Sequence, residues 1–193
     1  MPIFQCPSDP GGAMLWNASY AINKGSELSA HEEDYPQIAH THGVRGALVG
    51  TSGFPDGMSN TAFVAERLSQ LPTPRDRRAR WKTPVAYVNL EELDQFADLC
   101  AMMPVGAIGL GYRDSGDIVD YLVYDHVMTP NQPSCQNENW NLTYSTYATS
   151  SEHPGGVNVL FADGSVRFIS NSIARPVWRA MGTRDGNEAV SVE

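Results

Sequence analysis

The stretch "EHPGGVNVLFADGSVRFIS", Glu152 to Ser170, is the most patterned in this 193-residue chain, and the fold hangs on how it is read. Apolar residues alternate on both sides of Asp163-Gly164, a pair that favours a tight hairpin because both residues tolerate positive φ. A two-residue type I′ turn there pairs Phe161 with Val166, Leu160 with Arg167 and Val159 with Phe168. Period two then puts Val157, Val159, Phe161, Val166 and Phe168 on one core face. At about 3.3 Å per residue Val157 is already roughly 20 Å from the turn. His153, beyond the bend that Pro154-Gly155-Gly156 permits, falls at the far end of the hairpin, near Ser170 and Asn171. Asp163 is thus expected to form the turn and His153 to anchor the hairpin at its entry, the two sharing neither a metal nor a proton.

Outward from the hairpin, the clearest helix is "NLEELDQFADLCAMMPVG". Asn89 can cap it, Leu90, Leu93, Phe96, Ala97 and Cys100 make a buried stripe, and Pro104 stops it. Strands are expected around Asn17 to Ile22, in "SNTAFVAERL" and in "DIVDYLVYDHVM", with a short helix around Pro176 to Met181 that ends at Gly182 and "EAVSV" as a last strand. In "SNTAFVAERL" strict alternation aligns Ala62, Val64, Glu66 and Leu68. Glu66 then falls where an apolar residue belongs, so it reads as an ion-paired structural carboxylate, with an arginine as the natural partner, or as a site residue. Strands dominate, and the class is α+β: an antiparallel sheet with a few short helices on one side, in one domain over 1–193.

The net charge of −9 argues against general nucleic-acid binding, which needs a basic face. Arg75, Arg77, Arg78, Arg80 and Lys82 form one basic run, which reads as a solvated loop or as a contact to an anionic surface. No stretch of about 18 apolar residues is present, so no segment of this chain reads as spanning a membrane. His31, His40 and His42 invite a metal reading without a third ligand at a recognisable offset. Asp114, Asp117 and Asp120 around a glycine are a candidate calcium site, although "RDSGDIVD" is equally turn chemistry. No nucleophile elbow, phosphate loop or cofactor motif is present, and no catalytic residue stands out. No cofactor is expected beyond that calcium.

Four segments, "FQCPSDP", "FPDGMSNTAFVAER", "YDHVMTPNQPSC" and "HPGGVNVLFADGSVRFISNSI", with the tail "WRAMGTRDGNEAVS", occur in one order from Phe4 to Ser191. Together they resemble the bacterial prepilin-like proteins of unknown function whose C-terminal domain is named for a His-x9-Asp-Gly signature. The resemblance is carried by Cys6, Asp9, Asp56, Gly57, Ser59, Asn60, Glu66, Pro130, Asn131, Cys135, His153, Gly155, Gly156, Asp163 and Gly164. It implies a pilin-like sheet and a non-enzymatic envelope or surface role in structure or assembly. It further implies other envelope or pilin-like subunits as partners, and a type IV pilin-like leader and apolar helix that these 193 residues do not contain. With such a segment the protein would be periplasmic, cell-surface or extracellular. Export brings oxidising conditions, and Cys6 and Cys135, both in Pro- and Ser-rich loops, are then the expected disulfide, with Cys100 buried and free. The alternatives are a carbohydrate- or ligand-binding module using Trp16, Trp81 or Trp140, and a calcium- or zinc-dependent hydrolase.

Overall fold

A computed structural model describes residues 4–9, 18–27, 50–68, 81–83, 92–102, 123–137 and 145–188, with only the backbone at 81–83 and 136–137. In chain order the elements are β1 (Tyr20–Asn23), β2 (Ala62–Glu66), β3 (Trp81–Thr83), α1 (Leu93–Met102), β4 (Val123–Tyr124), β5 (Cys135–Asn137), β6 (Ser145–Thr146), β7 (Gly156–Phe161), β8 (Val166–Ser170) and α2 (Arg175–Gly182). A five-stranded sheet runs β4-β1-β2-β7-β8, and a three-stranded one runs β3-β5-β6. The class is α+β, but neither sheet is purely antiparallel: β4 joins β1 in parallel, and β3 joins β5 in parallel. Short local hairpins cannot supply such pairings, which bring together segments about 100 and 50 residues apart in sequence.

The hairpin forms, with a register one residue away from the two-residue turn. Leu160 pairs with Val166, Val159 with Arg167, Asn158 with Phe168 and Val157 with Ile169. The loop has three residues, 162–164. The Gly164 amide donates to the Phe161 carbonyl at 3.0 Å, the Phe161 amide donates to Ser165 O at 2.8 Å, and Gly164 alone takes positive φ, at 87°. This is a turn closed by a left-handed glycine, the usual three-residue hairpin. Asp163 stabilises it from outside, its Oδ1 accepting from the Ser165 amide (2.9 Å) and hydroxyl (2.7 Å), which hold its carboxyl below the usual carboxylate range. A slip of one residue turns a whole strand over. Ile169 is therefore buried, while Val166 and Phe168, expected in the core, are 63% and 52% exposed. Arg167 faces inward with its guanidinium 4.2 Å from the Phe161 ring centroid, covering the core at the sheet's edge.

Strict alternation also fails in β2. A register shift between Ala62 and Val64 opposes Ala62 to Phe161 but Val64 to Leu160 and Ala65 to Val159. Both Ala62 and Ala65 are thereby buried, and Glu66 does not share a face with Ala62. Along the inner face Ala21, Ala62, Ala65, Val157, Val159, Phe161 and Ile169 meet Trp178 and Met181 of α2. Gly156 is required in β7 because a Cβ there would lie 2.1 Å from the Ile169 carbonyl oxygen.

A second cluster forms around α1, whose expected stripe of Leu93, Phe96, Ala97 and Cys100 is buried with Val127, Met128, Cys135 and Ala148. Leu90 and Asn89 lie outside the described residues. Helices thus serve two clusters, α2 on the large sheet and α1 beside the small one. Arg175 and Arg179 of α2 reach Asp98 and Asp94 of α1, each at 2.7 Å. The Trp178 indole donates to the Met128 carbonyl at 2.7 Å and joins the two cores.

The disulfide differs from the expected one. Cys100 pairs with Cys135, with Cα atoms 5.9 Å apart, and Cys6 is free. Burial of Cys100 on the α1 stripe is what places it against Cys135, whereas Cys6 lies beside His153 and Glu66. Of the expected strand "DIVDYLVYDHVM", 117–122 lie outside the described residues and the rest is strand at Val123–Tyr124, while 189–192 of "EAVSV" lie outside the described residues.

The register makes a direct prediction: Ile169→Ala should cost about 2–4 kcal/mol in urea unfolding, while Val166→Thr and Phe168→Thr should each stay within about 0.5 kcal/mol. A two-residue turn would reverse that order. For the cystine, peptide mapping should recover Cys100 linked to Cys135 and Cys6 as a thiol. The bridge closes a separation of 35 residues, so Cys100→Ser should lower stability by about 3–4 kcal/mol and Cys6→Ser by far less.

Candidate functional site

The bulge in β2 decides where Glu66 goes. The residue is only 5% exposed, yet it lies with Tyr20 and Asn158 on the sheet face that α2 does not cover. A buried carboxylate needs partners. The Asn158 amide donates to Oε2 at 2.9 Å and its side-chain amide donates to Oε1 at 3.1 Å. The side chain that meets it beyond Asn158 is a histidine rather than an arginine: His153 Nε2 lies 3.3 Å from Oε1, with the imidazole 36% exposed.

His153 is positioned by the turn that enters the hairpin. Its amide donates to Ser151 Oγ at 3.1 Å, and the Ser151 amide donates to Asn131 Oδ1 at 2.8 Å. Asn131, itself at φ 62°, also donates to Asn171 Oδ1 at 2.8 Å, and Asn171 N donates to Gly155 O at 2.9 Å across the hairpin end. Gly155, at φ 87°, makes the bend. Cys6 completes the group, its Sγ 3.8 Å from His153 Nε2. The segment that carries it is held by Ser19 N donating to Phe4 O (2.7 Å), Asp9 N to Cys6 O (2.9 Å) and Ser19 Oγ to Asp9 Oδ2 (2.8 Å). Three donor atoms from positions 6, 66 and 153 thus lie within 4.8 Å of one another. Burial, and then electrostatic interaction with Cys6 and Glu66, push the neighbouring Tyr20 phenol up.

Both the thiol and the carboxylate face the same ring nitrogen. A nucleophile–base–orienter relay needs its two partners on opposite nitrogens, so these three residues are not arranged as such a triad. Thiol, imidazole and carboxylate are donor types that transition metals take, and here the three converge.

His153 and Asp163 sit at opposite ends of the hairpin with separate partners. Asp56 is also occupied structurally: its carboxylate accepts from Gly186 N (2.7 Å) and Asn187 N (2.9 Å), tying the tail to the turn of 54–60. Gly57 makes that turn at φ 93°, Asn60 Nδ2 donates to Asp56 O at 2.8 Å, and Ser59 lies between them, exposed. The calcium candidates Asp114, Asp117 and Asp120, the histidines His31, His40 and His42, the arginines at 75–80, and Trp16 and Trp140 lie outside the described residues. Only the backbone of Trp81 and Lys82 is described.

Sequence reading passed over a second polar group, Asp125-His126, although a charged pair inside the apolar run "VYDHVM" signals buried partners. The Asp125 carboxylate accepts from Thr146 Oγ1 (2.6 Å), Tyr147 N (2.7 Å) and Val127 N (3.1 Å). Fully buried, it is pushed up by desolvation against those bonds. The His126 ring stacks on Trp178 with centroids 3.9 Å apart, its Nδ1 is 2.6 Å from Trp178 O, and its Nε2 is 3.2 Å from Tyr124 Oη. Desolvation lowers its pKa to about 3. These bonds engage both carboxylate oxygens and both ring nitrogens, and the group reads as a structural knot.

An α+β domain with a thiol–imidazole–carboxylate cluster on one sheet face and a buried polar knot behind the other is therefore the class of protein in hand. The family model SBP_bac_10, described as "Protein of unknown function (DUF1559)", matches residues 1–175, and the chain belongs to that family. Comparison with curated proteins and with solved structures found no match.

His126 sets a pH dependence. The unfolded imidazole takes up a proton near pH 6.5, but the folded one resists until about 3, so stability present above pH 6.5 drains away as pH falls through that window. Asp125, raised, acts in the opposite sense and blunts the loss. Urea unfolding at pH 7 and pH 4 should differ by on the order of a few kcal/mol, and His126→Gln should shrink that difference even though it lowers stability at pH 7.

Proposed function

We propose that this domain is a non-enzymatic structural or assembly unit of the cell envelope, pilin- or pseudopilin-like, that docks on another subunit of its kind. The observation that carries this reading is the outer face of the large sheet. Register aligns Ile22, Val64, Leu160 and Val166 in one row across β1, β2, β7 and β8. Ile22 is 41% and Val166 63% exposed, and Phe168 lies beside the row. Sheets bury an apolar face against a second layer, and here α2 covers only the inner face.

The row runs to β8, an edge of the sheet, so a neighbouring subunit can reach it without rearranging the core. Its partner is a like apolar surface, since contiguous exposed apolar area on a soluble domain marks an interaction site. A cystine between Cys100 and Cys135 suits a periplasmic, cell-surface or extracellular location. Among the described residues no helix is long and apolar enough to cross a membrane.

The test is cross-linking of the native gene product in its own cells, followed by mass measurement of the purified oligomer. The Val166→Lys/Phe168→Lys double variant should abolish self-association and leave the thermal midpoint of the isolated domain nearly unchanged, because both positions are exposed. Wild-type protein that is never cross-linked to itself, or a double variant that assembles normally, would refute the reading.

A further inference from the structure

We propose that Cys6 Sγ, Glu66 Oε1 and His153 Nε2 form a three-ligand site for a divalent transition metal of zinc's class. Tetrahedral zinc, with sulfur at about 2.3 Å and nitrogen or oxygen at about 2.0–2.2 Å, separates its donors by roughly 3.3–3.6 Å. The imidazole nitrogen stands 3.3 Å from the carboxylate oxygen and 3.8 Å from the thiol sulfur, with all three donors within 4.8 Å.

The chemistry of the donors selects the ion. Thiolate and imidazole favour zinc, cobalt and their neighbours, whereas calcium and magnesium want oxygen alone. On binding, the S–H bond is exchanged for an S–metal bond and the proton goes to solvent, so thiolate and carboxylate together balance the two positive charges. Glu66 is already oriented by two bonds from Asn158, the kind of outer support that metal ligands use. Cys6 and His153 are only partly buried, so an ion can enter and a fourth ligand can come from solvent. Such an ion would clasp the segment 4–9 to the sheet through residues 147 apart in sequence. This inference is independent of the assembly reading.

The test uses the 193-residue chain with its disulfide intact. Zinc should remain at one equivalent after dialysis. Cobalt(II) should produce a thiolate-to-cobalt charge-transfer band with intense visible bands of tetrahedral geometry. Cys6→Ser should remove the charge-transfer band, and His153→Ala and Glu66→Gln should each weaken binding by at least about tenfold, as should Asn158→Ala. Zinc should also slow alkylation of Cys6 in the wild type but not in His153→Ala. Should Glu66→Gln fail to fold, Cys6→Ser, at a partly exposed position, carries the result with circular dichroism as its control. The proposal is overturned if no stoichiometric metal is retained, or if the cobalt spectrum is the same in Cys6→Ser. Metal that persists undiminished in a Cys6→Ser/His153→Ala double variant would place the binding elsewhere and overturn it equally.

Discussion

A single left-handed glycine sets the register on which both faces of the large sheet depend. Gly164 at φ 87° closes a three-residue loop instead of a two-residue one, and an L side chain at that angle would be strained by about 1–2 kcal/mol. From that loop follows the pairing of Val157 with Ile169 and of Asn158 with Phe168. Ile169 turns inward to the core, Val166 and Phe168 turn outward, and Asn158 faces the side on which Glu66 is held. The outward turn of Val166 and Phe168 is a consequence of that parity, whereas the Cys6–Glu66–His153 group depends on the bulge in β2.

Burial of charge is managed by local hydrogen bonding rather than by long ion-pair networks. Glu66 and Asp125 are both buried carboxylates, and each is met by backbone amides as well as side chains. Removing one partner from such a group leaves a desolvated charge, which costs more than the bond itself contributes. The exposed pairs between Arg175, Arg179, Asp94 and Asp98 contribute little by comparison. What holds α2 in place is Trp178, fully buried, stacked on His126 and bonded to Met128 in the other core cluster.

The glycine and asparagine positions in the resembling segments have separate physical tasks. Gly57 and Gly155 supply positive φ at turns, Gly156 leaves room for the Ile169 carbonyl, and Asn131 bridges the entry turn to the hairpin end. Asp56 and Asp163 are turn and tail anchors, with both oxygens of Asp56 and Oδ1 of Asp163 already engaged. Among these segments, chemistry-bearing side chains with an accessible edge converge at Cys6, Glu66 and His153.

Local patterns decided what the sequence could determine alone. The α1 stripe of Leu93, Phe96, Ala97 and Cys100 follows from helical periodicity, the hairpin from Asp163-Gly164, and the separation of His153 from Asp163 from strand length. Tertiary structure decided everything that depends on parity or distant partners. Period-two reasoning cannot see the loop's third residue or the β2 bulge, and each of these reverses a face: Val166 and Phe168 leave the core, and Glu66 parts from Ala62. Loop composition could not pair the cysteines, because the choice of Cys100 for Cys135 comes from the packing of α1 against the strand that carries Cys135. Nor could any spacing join positions 6, 66 and 153, since their meeting requires β1 and β7 to flank β2, an arrangement set by long-range strand pairing rather than by neighbours in the chain.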